Sequence, residues 1–481
     1  MLRPWNTMLL IDVDKQLSVY QQIADGIIAE IRKGRLKPGT PLPGSRVLAA
    51  DLHVNRKTVV LAYEALIAEG WLETADKKGT FVSHELPLQK KQAAKKGNTF
   101  AFNHTAGVLP EQPARSSGLI IFNDGLPDVR LAPMYELAKA YKRIFQQKAR
   151  WRMLGYGHPQ GEERLRVALT NMLSFKRGMN TGKDQICITR GSQMALYLTA
   201  HTLLQPGDVV AMECPGYLPA WQTFAGTGAS MVNISVDDKG LVVEELEQLC
   251  RTKPLKAVYV TPHHQFPTAV SMKMERRLRL IELSNRYGFA IIEDDYDHEF
   301  HFDAKSLLPL ASNHDAANVI YISSLSKLVA PAVRIGYVTG PAAFISSLAQ
   351  LRGLVDRQGD PMMEQAIAEL MEAGAVNRHA KRAFNIYKER RAGMERCLLT
   401  YLGEKITFRK PAGGLAFWVK FNRALNTEEL SVKLLKKGVY VMPTERFSFA
   451  GKPLNALRLG YASLTPEELE EGIRIIATAI R

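Results

Sequence analysis

The spacing of apolar and polar positions changes rhythm twice along the chain. Leu17, Tyr20, Ile23, Ala24, Ile27, Ile28 and Ile31 recur at helical intervals and fall on one face, and the run stops at Gly34 and Pro38-Gly39. In the next stretch, LPGSRVLAADLHVNRKTVVLAYEALIAEGWL, Ser45 is placed to N-cap a short helix over Arg46–Leu52. Val54-Asn55 makes a tight connection, and Asn55 is placed to cap a second helix that runs to about Glu69 and ends at Gly70. Ala49, Leu52, Val59, Ala62, Tyr63 and Leu66 are the shared core of this pair. Trp71–Thr74 and Gly79–Val82 flank a turn, which predicts a two-stranded wing. Residues 1–84 therefore read as a winged helix-turn-helix. Residues 85–117 lose the periodicity, are rich in Lys, Gln, Pro and Gly, and read as a linker. From 118 to 481, apolar β-rich runs alternate with amphipathic helical patterns, the signature of an α/β domain.

Length agrees with more than one domain, since 481 residues exceed the usual span of a single one. The net charge of +15 favours a polyanionic partner, nucleic acid or an anionic membrane. The excess is not where the winged helix is: residues 1–84 hold 11 basic and 9 acidic residues, a net +2, and the other +13 lies downstream. Motifs must therefore carry the case for DNA. The four cysteines, Cys187, Cys214, Cys250 and Cys397, are scattered, which argues against a disulfide framework or zinc ribbon and for reduced thiols in the cytoplasm. The apolar stretch Met8–Ile11 is stopped by Asp12, and no run has the length of a signal core or a spanning helix, so no membrane association is expected.

Helix, tight turn, helix is a DNA-reading arrangement in which the second helix presents its N-terminal end to the major groove. Asn55, Arg56, Lys57 and Thr58 stand at that end. Arg pairs bidentately with guanine, and a helix N-terminus suits a phosphate. Arg46 starts the preceding helix and is in reach of the backbone or a base edge. Lys77, Lys78 and Gly79 form the wing tip, where a chain without side-chain bulk comes close to a sugar-phosphate strand. The competing reading is a protein-interaction module with a solvated basic rim. The order L-P-G-S-R, V-x-R-x-T-V, A-Y, L-x-x-E-G-W-L and G-T-F-V resembles the GntR-type winged helix throughout. Val60 departs from it, because many relatives carry Arg there, and this leaves one base contact and the operator sequence open.

Four runs carry the chemistry of the large domain. In YISSLSKLVAPAVRIGY, an apolar strand ends in Ser323-Ser324-Leu325-Ser326-Lys327, with Arg334 following. Desolvation and nearby cations lower an amine's pKa and let it form a Schiff base, and Ser324, Ser326 and Arg334 suit a phosphate. In GFAIIEDDYDHEF, a buried strand delivers Glu293, Asp294, Asp295 and Tyr296 at its C-terminal end. Asp294 is the candidate to salt-bridge a pyridinium nitrogen, and Tyr296 to bond a ring oxygen. Acids at a strand end are also found at metal sites and solvated rims. In ICITRGSQMALYLTAHTLL, Gly191-Ser192-Gln193 lead into a helix whose N–H groups can cradle a phosphate. Tyr217 follows the next strand and is placed to stack on a heterocycle or to fill a turn. In NALRLGYA, Arg458 sits between apolar residues, where it needs either a structural ion pair or a ligand carboxylate.

Together with YGHPQGEERLR (156–166), TPHHQFPTAVSM (261–272) and PAGGLAFWVKF (411–421), these runs resemble the fold-type I, class I aminotransferases over residues 118–481. The resemblance implies a mainly parallel, three-layer α/β domain with a C-terminal small α+β subdomain, and pyridoxal 5'-phosphate (PLP) as cofactor. It implies Lys327 as the Schiff-base lysine, with Asp294 on the pyridine nitrogen, Tyr296 on the ring oxygen and Tyr217 stacked. It places Gly191, Ser192, Gln193, Ser324, Ser326 and Arg334 on the phosphate and Arg458 on an α-carboxylate, and it implies no metal. The run HQFPTAV departs from the N-P-x-G of plain aminotransferases: Phe266 precedes Pro267, and Ala269 replaces the Gly. A GntR-type winged helix, a linker and such a domain resemble the MocR/GabR regulators. That family implies a head-to-tail homodimer on double-stranded promoter DNA, with PLP itself or a small amine or amino acid as effector. Regulation is then the main role, with residual transaminase chemistry left open, and the alternative is an active aminotransferase carrying an accessory DNA-binding domain.

Overall fold

The computed structural model describes residues 9, 11–12, 17–76, 78–87, 118–146, 151, 153–303, 307–449 and 451–480. The chain divides into two compact units, Met1–Ala106 and Gly107–Arg481. Most of the expected linker, residues 88–117, lies outside the described residues, as does Lys77.

In the first unit, α1 (Val19–Arg32), α2 (Ser45–Asp51) and α3 (Arg56–Ala68) precede an antiparallel hairpin of β1 (Leu72–Ala75) and β2 (Gly79–Val82). Ile23, Ile27 and Ile31 of α1 meet Leu48 and Ala49 of α2 and Val59, Ala62, Tyr63 and Leu66 of α3 in one buried cluster, closed by Trp71 and Val82. Each Ile, Leu or Val among them contributes roughly 1.5–3 kcal/mol when fully buried, which is what holds so small a fold together. The apolar Leu9 belongs to this core: a Cβ on Gly26 would come within 2.5 Å of Leu9 Cδ2. Leu17 does not join the α1 face, because it precedes the helix and is exposed. Leu86, inside the expected linker, packs against the cluster. Ser45 does not cap α2. The helix starts at Ser45 itself with Gly44 at the N-cap, and the Ser45 hydroxyl accepts instead from Arg56 Nε at 3.4 Å. Asn55 caps α3 as expected, its side chain accepting the Lys57 N–H at 2.9 Å.

The second unit begins with β3 (Ile120–Phe122), α4 (Met134–Gln146) and α5 (Glu163–Arg177). Its centre is an eight-stranded sheet in the order β4 (Ile186–Thr189), β11 (Gly336–Thr339), β10 (Val319–Ser324), β9 (Ala290–Asp295), β8 (Leu255–Val260), β5 (Val209–Cys214), β6 (Ser230–Asp237), β7 (Gly240–Leu241). Strands β10, β9, β8, β5 and β6 run parallel, while β11 is antiparallel to both neighbours and β7 to β6. Among the helices that pack on this sheet are α6 (Ser192–Leu203), α7 (Leu218–Ala225), α8 (Val243–Thr252), α9 (Met274–Tyr287) and α10 (Ala342–Val355), while α4 and α5 pack against Ile186, Ile188, Tyr321 and Tyr337. Alternate residues of β8 feed two separate cores. Ala257 and Tyr259 pack with α6, α7 and α10, while Val258 and Val260 pack with α8 and α9. Burial on both faces is why these strands read as continuous apolar runs, and it makes the three layers.

The remaining elements are α11 (Pro361–Glu372), α12 (Ala375–Tyr401), β12 (Ile406–Phe408), β13 (Ala416–Phe421), α13 (Thr427–Lys436), β14 (Val439–Val441), β15 (Ala456–Gly460) and α14 (Pro466–Ala479). Strands β12, β13 and β15 form an antiparallel sheet, and β14 pairs in parallel with β3. The small α+β subdomain is thus not wholly C-terminal: Phe122 of β3 is buried in its core. Among the described residues, no helix is long and apolar enough to cross a membrane.

Candidate functional site

Parallel strands bring their C-terminal ends to one edge of a sheet, where open α/β folds bind ligands. Asp294 lies at the end of β9, in register with Ile322 of β10. Ser324 closes β10 and Lys327 follows it, Tyr217 precedes α7 after β5, and Gly191 precedes α6 after β4. A cavity of about 230 Å³ opens there, lined by Ser192, Gln193, Tyr217, Asp294, Tyr296, Ser324, Ser326, Lys327 and Arg334. Residues from four separated stretches of sequence therefore line one cavity.

One side of the cavity is built for an anion. The N-terminus of α6 supplies backbone N–H groups. Gly191 has φ +80°, and a Cβ there would stand 2.9 Å from Arg334 Nη2, so only glycine admits the guanidinium this close. Arg334 holds a left-handed φ of 49°, a strain of roughly 1–3 kcal/mol for a side-chain-bearing residue, and Nη2 donates to Arg190 O at 2.8 Å. Ser324 Oγ and Ser326 Oγ lie 2.8 Å apart, and Ser324 Oγ accepts the Ser326 N–H at 3.0 Å. Gln193 Nε2 donates to Thr223 Oγ1 at 2.8 Å.

The other side is built from buried titratable groups. Tyr259 donates its hydroxyl proton to Asp294 Oδ2 at 2.8 Å, while Asp294 Oδ1 is buried without a hydrogen-bond partner. Burial pushes the Asp294 carboxyl up to about 7, against the Tyr259 hydrogen bond. Burial also pulls the Lys327 amine below its ordinary range, with Asp297 and Asp124 opposing. Lys327 Nζ sits 4.1 Å from the Tyr296 ring centroid, and Tyr296 donates its hydroxyl proton to His264 O at 2.6 Å. The Tyr217 ring meets Phe266 edge-on with centroids 5.2 Å apart. An unpaired buried carboxylate oxygen costs on the order of 1–3 kcal/mol, and a protonated ring nitrogen in the cavity would pair it. An anion cradle, a desolvated amine and this orphan acceptor together fit PLP.

Arg458 lies on β15, opposite Trp418, and is buried. Nε donates to Asp124 O at 3.0 Å and Nη1 to Pro267 O at 2.6 Å, and the guanidinium stands 4.5 Å from the centroid of Phe266, itself a cavity residue. Among the described residues Arg458 forms no ion pair, so the structural-ion-pair reading finds no partner.

Arg46, Asn55, Arg56 and Lys57 are exposed, and Thr58 is half-buried. Tyr63 of α3 donates its hydroxyl proton to Pro43 O at 2.8 Å and so fixes that helix against the entry to α2. Lys78 and Gly79 are exposed at the hairpin, and Gly79 has φ +110° with open space where a Cβ would stand.

Residues 19–82 match the bacterial regulatory proteins of the gntR family, and residues 122–476 match the class I and II aminotransferases. The chain is similar to the probable rhizopine catabolism regulatory protein MocR of Rhizobium meliloti, 29% identical over 98% of this chain and 96% of that one. It is also similar to the HTH-type transcriptional regulator TauR of Rhodobacter capsulatus, 30% identical over 96% and 95%. The chain belongs to the MocR-type regulators. The aminotransferase-like domain of this MocR-type chain is similar to the kynurenine aminotransferase of Pyrococcus horikoshii in complex with PMP, with 30% identity and a TM-score of 0.71 over 76% of this chain and 91% of that one. A GntR-type DNA-binding domain is thus joined to a PLP-type aminotransferase fold.

Sequence reasoning missed Asp124, Tyr259 and Thr261 in the MocR-type cavity. Tyr259 left a trace, because a Tyr inside the buried strand LKAVYV needs a partner for its hydroxyl, and Asp294 on the neighbouring strand is that partner. Asp124 left none, since its segment is placed by long-range contacts: the pairing of β3 with β14, and hydrogen bonds from Gly460 N–H to Asn123 O and from Arg458 Nε to Asp124 O, both at 3.0 Å.

Proposed function

We propose that this MocR-type chain binds promoter DNA through its winged helix and holds PLP in the cavity as the sensing group, with a small amine or amino acid, or PLP itself, as effector. Lys327 would tether the cofactor, Asp294 would pair its ring nitrogen, Tyr296 would turn its hydroxyl proton from His264 O to the ring oxygen, and Tyr217 would stack on the ring. Gly191, Ser192, Gln193, Ser324, Ser326 and Arg334 hold the phosphate. When bound, PLP supplies an electrophilic carbon for primary amines and a ring that draws electrons once its nitrogen is protonated. The residues do the rest. Burial lowers the Lys327 amine and so favours its uncharged form relative to an ordinary lysine, and Asp294, with its unpartnered Oδ1, is placed to hold a proton on the ring nitrogen. Arg458, buried and without an acidic partner among the described residues, receives an effector carboxylate. Arg56 and Lys57 read bases and phosphates at the start of α3, with Arg46, Asn55, Thr58, Lys78 and Gly79 in support. The working form is a cytoplasmic, head-to-tail homodimer that sets two winged helices on two half-sites.

The observation that carries this reading is the extent of similarity: regulators match the chain over 98% and 96% of its length, whereas the aminotransferase structure covers 76%. The intact set of Lys327, Asp294, Tyr296 and Arg458 favours a second reading, a working aminotransferase with an accessory winged helix. Two measurements on the PLP-loaded protein separate them: binding to DNA upstream of its own gene and of neighbouring genes against unrelated competitor, and turnover of amino acids with keto acids. Specific binding with negligible turnover supports the regulator. Turnover on the order of 1–10³ per second without specific binding supports the enzyme.

A further inference from the structure

Next along β9 from the cavity residue Asp294, around Asp295, three buried groups face one another without satisfying one another. His263 leaves the loop after β8, Asp295 ends β9, and His298 lies in the turn that follows. Their relative exposures are 3%, 1% and 8%. His263 Nδ1 is 3.2 Å from Asp295 Oδ1 and His298 Nδ1 is 3.0 Å from Asp295 Oδ2, yet His263 Nδ1, His298 Nδ1 and Asp295 Oδ1 all lack a hydrogen-bond partner. The potential ligand atoms all lie within 4.8 Å of one another.

We propose that His263, Asp295 and His298 form a site for a divalent transition-metal ion of the zinc class. The outer contacts argue for it. His263 Nε2 is 2.5 Å from Leu307 O, a contact that places the ring proton on Nε2 and leaves the Nδ1 lone pair aimed at the carboxylate. A lone pair facing a carboxylate is repulsive unless a cation stands between them. A ligating histidine characteristically donates its other ring N–H to a carbonyl in this way, and ligating carboxylates are hydrogen-bonded from outside. Tyr321 does the latter, donating to Asp295 Oδ2 at 2.6 Å. Two imidazoles and a carboxylate are a donor set for zinc and its first-row neighbours, not for magnesium or calcium. Ligands at about 2.0–2.1 Å from zinc stand roughly 3.4 Å apart in a tetrahedron, so small rotations of the rings close the site. The nearest fixed cation, Arg177, is 3.9 Å from Asp295 Oδ2 and is itself paired with Glu299 at 2.5 Å. His263 comes from a different segment from Asp295 and His298, which is why no metal is expected from sequence spacing. The ion would tie the loop that carries Phe266 to the end of β9 that carries Asp294, and it stands independently of the cofactor reading.

The test uses the full-length protein, prepared without a metal-binding tag, titrated with zinc against a chromogenic chelator and separately with cobalt(II). The expected result is one tightly held zinc per chain and cobalt ligand-field bands without thiolate charge transfer. His263→Ser and His298→Ser should each weaken binding by about 100-fold or more, since loss of an outer-shell partner alone costs about 10–100-fold. His314→Ser, whose side chain is 88% exposed, should leave binding unchanged. Wild-type protein that binds no zinc, binding that survives both histidine substitutions, or thiolate–cobalt bands would overturn the proposal. If the two variants fail to fold, the wild-type cobalt spectrum alone decides: nitrogen and oxygen ligand-field bands support the site, and their absence overturns it.

Discussion

Arg56 and Lys57 stand in water at the start of α3, whereas Lys327 and Arg458 line or adjoin a cavity at the edge of the eight-stranded sheet. The same residue types serve in both places, but the physics differs. In the proposed DNA-binding role the exposed pair would act by charge in a high dielectric, with a grip on a polyanion that weakens as salt rises. The cavity groups act through desolvation: burial lowers the Lys327 amine and raises the Asp294 carboxyl to about 7. The exposed site is poised by local capping, since Asn55 orders the first turn of α3, while the buried site is poised by long-range packing that brings β4, β5, β9 and β10 together. One surface is therefore salt-sensitive and tolerant of neighbours, and the other is salt-insensitive and intolerant.

The strongest way to break that comparison is Lys327→Ala. PLP retained through gel filtration should fall from stoichiometric to background, while DNA affinity in the absence of PLP stays within a factor of about 3, as expected for sites in separate units. Retention of stoichiometric PLP would remove Lys327 from its role.

Glu213 sharpens the buried side. Burial raises its carboxyl to about 7 from 4.5, with Oε2 accepting from Thr261 and Gln265. A folded value above the unfolded one means its stabilising contribution is complete below about 4.5 and is lost as pH rises through 7. Glu213→Gln cannot ionise, so between pH 5 and 8 the wild type should lose on the order of 2–3 kcal/mol relative to the variant in urea denaturation. Parallel pH profiles would contradict the assignment.

On the exposed side, Arg56→Ala should cost about 1–3 kcal/mol of specific DNA binding, and Lys57→Ala should reduce the slope of affinity against salt by about 1, with PLP content unchanged in both. A salt slope identical to wild type for Lys57→Ala would remove that residue from the phosphate contacts. The smallest effect belongs to Asn55→Ala, where loss of the cap should lower the stability of the winged helix by about 1 kcal/mol, read as an earlier thermal transition.

The same division explains what could be read from the sequence. Asn55 as a cap, the α3 core and the wing hairpin were legible because each is decided by residues a few positions apart. The strand-end runs of Asp294, Ser324 and Lys327 were legible because parallel strands share one functional edge. Ser45 misled because Gly44 occupies the N-cap and the hydroxyl turns to Arg56. The pairing of β3 with β14, and with it Asp124, was not legible, since three-residue strands carry almost no periodicity. Nor was the grouping of His263 with Asp295 and His298, which follows from the course of a loop rather than from spacing.

The central claim is that occupancy of the cavity changes the grip on DNA, and by linkage the effect must be reciprocal. The most direct measurement is the affinity of wild-type protein and Lys327→Ala for one promoter fragment, near physiological salt, without PLP, with PLP, and with PLP plus candidate amines. The account predicts that wild-type affinity shifts by about 5–150-fold between at least two of these states and that Lys327→Ala does not respond. A wild-type affinity that is the same in every state would contradict it.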